Sequence, residues 1–306
     1  MTRILRRVAF ATALFAATAL SACSESTSPP LPGGFLHSGA VIHTGVTTDH
    51  PGWSMLDPGA NQRSGFDIEL ADWLSSKLQI DQQYVDVTLE GRIRVLEEEK
   101  ARMVVATFSI TDDRRKRMDF AGPYMITYQG VMVREGDRRI QSYEDLVTEG
   151  RNVCVADGTT SHAQLAEKDR KGLTLTVLTA LKDCATQLSK GQVDAVSTDQ
   201  LVLYGFANSE LYPGLHVLPD LTFGSKEQYG IGLPDNDFAD CEIVSKKLSE
   251  FLKEGDWAEF FARSFPGAAP AKHKPAQLDP CEKSTAPSAT PQALTSTTVA
   301  WAATTG

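Results

Sequence analysis

Apolar positions in this chain recur at two spacings, and the two alternate. In GFDIELADWLSSKL, Phe66, Leu70, Leu74 and Leu78 fall four residues apart and line one face of an α-helix. MVVATF is instead a short unbroken apolar run and reads as a buried strand. NVCVAD predicts a strand stopped by Gly158, and ALKDCATQLSKG a helix with Leu181, Cys184 and Leu188 on one face and Gly191 at its end. DAVSTD predicts a further strand. IVSKKLSEFLKEGDWAEFF predicts a helical stretch that buries Val244, Leu248, Phe251 and Leu252. Short strands alternating with helices imply α/β layers with largely parallel sheets, in which ligands gather beyond the carboxyl ends of the strands.

Both ends depart from this pattern. Residues 1–22 carry three arginines, an apolar run from Val8 to Ala19 and then Leu20-Ser21-Ala22-Cys23, the order of a secretory signal peptide. The run is too short and Ala-rich for a membrane span, which needs about 20 apolar residues. LSAC resembles a bacterial lipobox, in which cleavage leaves Cys23 as the lipidated first residue. Residues 23–40 are then a tether rich in Ser, Pro and Gly between lipid and body. From Gly267 to Gly306 the chain is rich in Ala, Pro, Thr and Ser, and a disordered tail over 267–306 is expected, apart from any anchorage at Cys281. Roughly 225 residues remain, enough for two modest domains.

The chain has 39 acidic and 30 basic side chains, a formal net charge of −9. Loss of Arg3, Arg6 and Arg7 with the leader takes it to −12. Such a body does not bind nucleic acid through its overall field. Export also frames the cysteines. With Cys23 lipidated, Cys154, Cys184, Cys241 and Cys281 remain, an even number that makes two bridges in an oxidising compartment. Three pairings are possible. Cys154 with Cys184 and Cys241 with Cys281 is favoured, because the first pair lies on a strand and the helix that follows it. Closures of about 30 and 40 residues imply roughly 3.5 to 4 kcal/mol each as an upper figure. No C-x-x-C spacing supports zinc, and no metal or other cofactor is expected.

ATFSITDDRRKRMDFAGPY places four basic residues in a row, Arg114 to Arg117, directly after an apolar strand and its hydroxyls. Arg115, Lys116 and Arg117 read as a solvated helix face. Arg114 differs. Thr107 and Ser109 leave the strand at its carboxyl end, Thr111 is an N-cap, and Asp112 and Asp113 suit the first turn. Arg114 is then the third helical residue, able to point back over the helix N-terminus, where its planar guanidinium offers a carboxylate two parallel donors. Pairing with Asp112 or Asp113 is the alternative.

GFDIELADWLSSKL, ATFSITDDRRKRMDFAGPY, VCVADGTTS, VDAVSTDQ and YGIGLP together, in this order, resemble the family 3 extracellular solute-binding proteins, the polar amino-acid receptors of ABC importers. GVTTDHPGWSM and the pair Cys154/Cys184 most resemble glutamate-binding lipoproteins of Gram-positive bacteria. The likeness spans roughly Gly45 to Gly267. It implies a two-lobed, type II periplasmic-binding-protein-like α/β fold, its lobes joined by two crossing strands and closing on one amino acid. Lobe 1 would comprise 41–128 and 223–266, and lobe 2 would comprise 129–222. Carried over by position, Arg114 clamps the ligand α-carboxylate with Ser109 and the turn Gly158-Thr159-Thr160, while Asp199 takes the α-ammonium with Thr107. A zwitterion needs such a forked donor and an acceptor-only group a few ångströms apart.

The same resemblance places Arg92 where some relatives reach an acidic side chain, which favours glutamate or aspartate. Thr47 and Thr48 stand where others use a second cation, which leaves glutamine or asparagine open. Trp53 falls at an aromatic wall. The run EEEKARMVVAT departs from the family's usual Gly and Asp before this strand, having Glu99 and Arg102 there. The implied protein is a monomer on the outer face of the cell membrane, held by its lipid and partnered by ABC permease subunits. A sensory lipoprotein reporting to a membrane kinase is the rival binding role. An enzyme such as a dehydratase is the rival chemistry, but no G-x-S-x-G, H-E-x-x-H or G-x-x-x-x-G-K motif occurs, and no enzymatic role is expected.

Overall fold

The computed structural model describes residues 34–147, 150–167, 172–266 and 268–282. Cys23 and the leader lie outside them. The chain opens with β1 (Val41–Val46), a hairpin region of β2 (Asp49–His50), β3 (Ser54–Asp57) and β4 (Gln62–Ser64), and helix α1 (Phe66–Leu78). Phe66, Leu70 and Leu74 of the predicted stripe are fully buried, and Gln79 ends the helix in the left-handed conformation. β5 (Asp81–Asp86), α2 (Arg92–Glu97) and β6 (Met103–Val104) follow, then the four-residue α3 (Asp112–Arg115) and the long β7 (Asp119–Arg134). Next come α4 (Tyr143–Leu146), β8 (Asn152–Ala156), α5 (Thr160–Leu165), β9 (Thr174–Leu178), α6 (Leu181–Ser189), β10 (Ala195–Asp199) and α7 (Gln200–Ala207). The 19-residue β11 (Leu215–Leu233) leads to α8 (Phe238–Lys253) and α9 (Asp256–Ser264). The helical stretch expected from Ile243 onward is thus two helices, broken where Gly255 takes φ +97°.

Eight strands form one sheet in the order β5-β1-β6-β11-β7-β10-β8-β9. Pairing is parallel within β5-β1-β6 and within β10-β8-β9, as the alternation predicts. The antiparallel pair β7 and β11 joins these two halves. Near Asp119–Ala121, β7 lies beside the β11 end that pairs with β6; at Gln129–Met132 it pairs with β10. The ladder between β7 and β11 breaks register at three places, between Val217 and Thr222, Phe223 and Lys226, and Tyr229 and Ile231.

Both ends of the described body are packed more tightly than composition suggests. Residues 34–40, placed with the tether, dock on α8: Phe35 and Leu36 donate their N–H groups to the Asp240 carboxylate, and Leu36 is buried. Residues 268–282, placed with a disordered tail, lie along β7. Ile126 and His273 exchange a backbone bond and a ring bond, Asp279 N–H donates to Gly122 O, and Arg115 pairs with Asp279 at 2.9 Å. The bridges are those favoured from the sequence, Cys154–Cys184 and Cys241–Cys281, with Cα separations of 5.5 and 5.9 Å. Among the described residues no helix is long and apolar enough to cross a membrane, and no cluster of three or more His, Cys, Asp or Glu could hold a metal.

Candidate functional site

Beyond the carboxyl end of β6 the chain makes a strained turn. Thr107 takes φ +44°, a left-handed conformation that costs a threonine of order 1–3 kcal/mol. Asp67, fully buried at the start of α1, holds it there. Its Oδ2 accepts Thr107 N–H at 2.8 Å and its Oδ1 accepts the Tyr124 hydroxyl at 2.7 Å. Burial pushes the Asp67 carboxyl up to about 7, against the pull of those two bonds. The turn presents Thr107 and Ser109 to a narrow cleft between the two halves of the sheet.

Thr111 caps α3 as the sequence predicts, its Oγ1 accepting Arg114 N–H at 3.3 Å. The Arg114 side chain turns back into the cleft rather than to Asp112 or Asp113. Nη1 donates to Ser109 O at 2.7 Å and Nη2 to Gly158 O at 2.9 Å. Arg92 lies beside it, 2% exposed, with Nε on Leu89 O, Nη1 on both Ala106 O and Thr107 O, and Nη2 on Gly158 O at 3.0 Å. Four of its five N–H groups therefore serve backbone carbonyls, so Arg92 chiefly braces the turn. Both guanidiniums stack on Phe108, 4.4 Å away for Arg92 and 4.9 Å for Arg114. Burial, then the neighbouring Arg114 charge, lowers the Arg92 pKa to about 9; burial also lowers that of Arg114, opposed by Glu227 and Asp199.

The Gly158 carbonyl that both arginines share belongs to the β8–α5 turn of the other half. Thr159 caps α5, accepting His162 N–H and donating to Ala156 O. Thr160 accepts from Gln129 Nε2 at 2.8 Å. Asp199, at the carboxyl end of β10, is 6% exposed and accepts from Gln129 Nε2 at 2.7 Å and from the Tyr229 hydroxyl at 2.5 Å. The same Nε2 lies 2.9 Å from Glu227 Oε1. Two amide hydrogens thus face three acceptors, and Gln129 Oε1 is buried without a partner. Burial, then the Glu227 charge, raises the Asp199 carboxyl to about 7, while the Tyr229 bond and the two arginines pull it down.

Arg92, Thr107, Ser109, Arg114, Thr159, Thr160 and Asp199 all line the one cleft. Trp53 does not. It is fully buried, packed on Phe66, Tyr229 and Phe265, with Nε1 donating to Leu201 O at 3.4 Å, so the expected aromatic wall is a core residue. His50, three residues earlier in the same quoted stretch, lines the cleft instead with Leu89, Leu181 and Val202. The sequence gives no sign of His50, Gln129 or Glu227, since single polar residues in a two-residue strand or in crossing strands carry no periodic signal. Chemically, the arrangement offers a forked cation and an acceptor-rich buried carboxylate from opposite halves, with hydroxyls around them.

Residues 42–267 match the family model of the bacterial extracellular solute-binding proteins, family 3. The glutamate-binding protein GluB of Corynebacterium glutamicum is 30% identical over 258 residues, covering 80% of this chain and 84% of that one. A glutamine-binding protein of Geobacillus stearothermophilus is 34% identical over 191 residues, 61% of this chain and 70% of its own. Among solved structures, an ancestral arginine-binding protein bound to arginine superposes with a TM-score of 0.67 at 28% identity, over 75% of this chain and all of that one.

Proposed function

The chain belongs to the bacterial extracellular solute-binding proteins of family 3, and from that membership we propose that it captures one polar amino acid between two lobes and delivers it to the permease of an ABC importer. The observation that carries this reading is that Arg114 and Asp199 line the same cleft from opposite halves of the sheet. Arg114 takes the ligand α-carboxylate beside Ser109, and Asp199 takes the α-ammonium, which supplies hydrogens to an acceptor group short of them. Thr107, Thr159 and Thr160 complete the shell.

Lobe 1 is 41–128 with 223–266, and lobe 2 is 129–222, hinged on β7 and β11. Ligand contacts from both lobes exist together only when the lobes are shut, so the ligand stabilises the closed form selectively. A permease then distinguishes loaded from empty receptor. The ligand class is that of glutamate and glutamine, a reading supported by the GluB and glutamine-binding relatives. Cys23 carries the lipid that holds a monomeric body to the outer face of the membrane, and the protein binds without catalysis.

A thermal-shift screen of the mature protein against the twenty amino acids tests the proposal, because a ligand of the folded form raises the melting point. A shift from glutamine, glutamate or their short homologues is expected. No shift from any amino acid would overturn the receptor reading.

A further inference from the structure

His50 is 1% exposed, and its Nδ1 lies 2.9 Å from Asp49 Oδ1. Its Nε2 is buried with no hydrogen-bond partner, in a residue that lines the cleft. Asp49 is held below the usual carboxylate range: burial works against ionisation, but the bond to His50 and the nearby Lys182 charge favour the carboxylate. An ionised Asp49 only accepts, so the ring proton of a neutral His50 sits on Nδ1 and Nε2 is left as a lone-pair acceptor. Asp67, the other acid that feels the His50 ring, has both oxygens engaged by Thr107 and Tyr124.

A charged ligand side chain finds little in the cleft itself, because Lys182, whose charge reaches Asp49, lines a separate pocket. Four of the five Arg92 N–H groups are on carbonyls, the Asp49 oxygen nearest the cleft histidine is occupied by it, and the neighbouring lining residues Leu89, Leu181 and Val202 are apolar. A buried acceptor without a donor is costly, and a ligand N–H brought by a neutral group removes that cost.

We propose that His50, its tautomer fixed by Asp49, is the residue that reads the ligand side chain: Nε2 accepts an N–H from a side-chain carboxamide, so the cleft selects glutamine or asparagine over glutamate or aspartate. This rests on the receptor reading above. Glutamate has no side-chain N–H to give and sets its carboxylate against the lone pair. Asp49 is a positioning residue in this account, since it acts only through the ring.

Titration calorimetry at pH 7.5 with L-glutamine, L-glutamate, L-arginine and the γ-methyl ester of L-glutamate tests it. The ester is neutral and has no side-chain N–H but is one methyl group longer than the carboxamide, so its ratio to glutamine separates donor from charge and the His50→Phe ratio separates donor from size. Wild-type protein is expected to bind glutamine about tenfold or more tightly than the ester, and more tightly than glutamate or arginine. In His50→Phe, which keeps a ring of similar size, the glutamine-to-ester ratio collapses toward one while binding of both persists. Asp49→Asn frees the tautomer and lowers the same ratio. Tighter binding of glutamate or arginine by the wild type, equal binding of glutamine and ester, or an unchanged ratio in His50→Phe would each overturn the assignment. Where His50→Phe fails to fold, the Asp49→Asn ratio and the wild-type order of glutamine, glutamate and arginine decide it. Failure of all four to bind, with no thermal shift from any amino acid, removes the receptor reading as well, whereas binding with another preference removes only this one.

Discussion

Gly158 and Glu90 meet backbone to backbone across the cleft: a Cβ built on Gly158 would stand 2.4 Å from Glu90 Cα and 2.7 Å from its N. Gly158 also takes φ +72°, so a side chain is opposed both by its own conformation and by its neighbour. Gly158→Ala is expected to hold the two halves apart, take the shared carbonyl from Arg92 and Arg114, and weaken ligand binding about tenfold or more. Small-angle scattering should then show less compaction on adding ligand than in the wild type. Unchanged affinity and unchanged compaction would count against a closing cleft.

Arg114 and Lys116 sit two residues apart in environments that differ completely. Lys116 is 71% exposed and paired with a still more exposed Asp113, a contact of little worth. Arg114→Ala should cost binding on the order of 2 to 5 kcal/mol by stranding a buried carboxylate, and Arg114→Lys should recover only part of it because the fork is lost. Lys116→Ala should bind as the wild type does. Calorimetry that finds equal losses at the two positions would refute the clamp.

Asp199 is expected to make ligand binding depend on pH. Its folded pKa of about 7 lies above the ordinary 3.8, so between those values the folded chain holds the extra proton. Its contribution to folding stability is therefore complete below about 4 and is lost as pH rises to about 7. Ligand affinity should run the other way, because an ammonium favours the carboxylate: binding strengthens as pH rises through about 7 and, below that, expels a proton. Calorimetry in buffers of different ionisation enthalpy measures the proton directly. Glu227→Gln removes the neighbouring charge that helps raise this pKa, so the midpoint should move down; a midpoint that stays put would detach Asp199 from the effect.

The Cys241–Cys281 bridge closes a 40-residue separation and pins 268–282 along β7. Replacing both cysteines by serine should cost up to about 4 kcal/mol of folding stability, seen as a lower melting temperature. Faster amide exchange at Ile126, whose N–H donates to His273 O, should accompany it. A melting point within a degree of the wild type would mean that packing alone holds the segment.

Local chemistry was readable from the sequence where one short stretch decides it. The α1 stripe, the Thr111 cap and the position of Arg114 as the third helical residue each depend on neighbours in the chain, and each appears in the structure. The cysteine pairing followed from a strand and the helix after it. What escaped depends on distant chain segments. Gln129 and Glu227 meet Asp199 only because β7 and β11 cross between the halves, and nothing within either strand marks a buried amide or acid as facing a cleft. Trp53 and His50 illustrate the same limit inside one hairpin. The place of Trp53 in the aromatic core is set by Phe66, Tyr229 and Phe265, the last of them more than two hundred positions away.

The register breaks in the β7–β11 ladder bear on how the molecule moves. Gly224 and Ser225 sit unmatched between Phe223 and Lys226, whose partners Gln129 and Tyr128 are adjacent, and Gly224 has φ +70°. Torsion at such a spot redirects one strand without rupturing rungs on either side of it. Compliance is expected to localise to these few backbone dihedrals, as a soft pivot between two stiffer halves of the sheet.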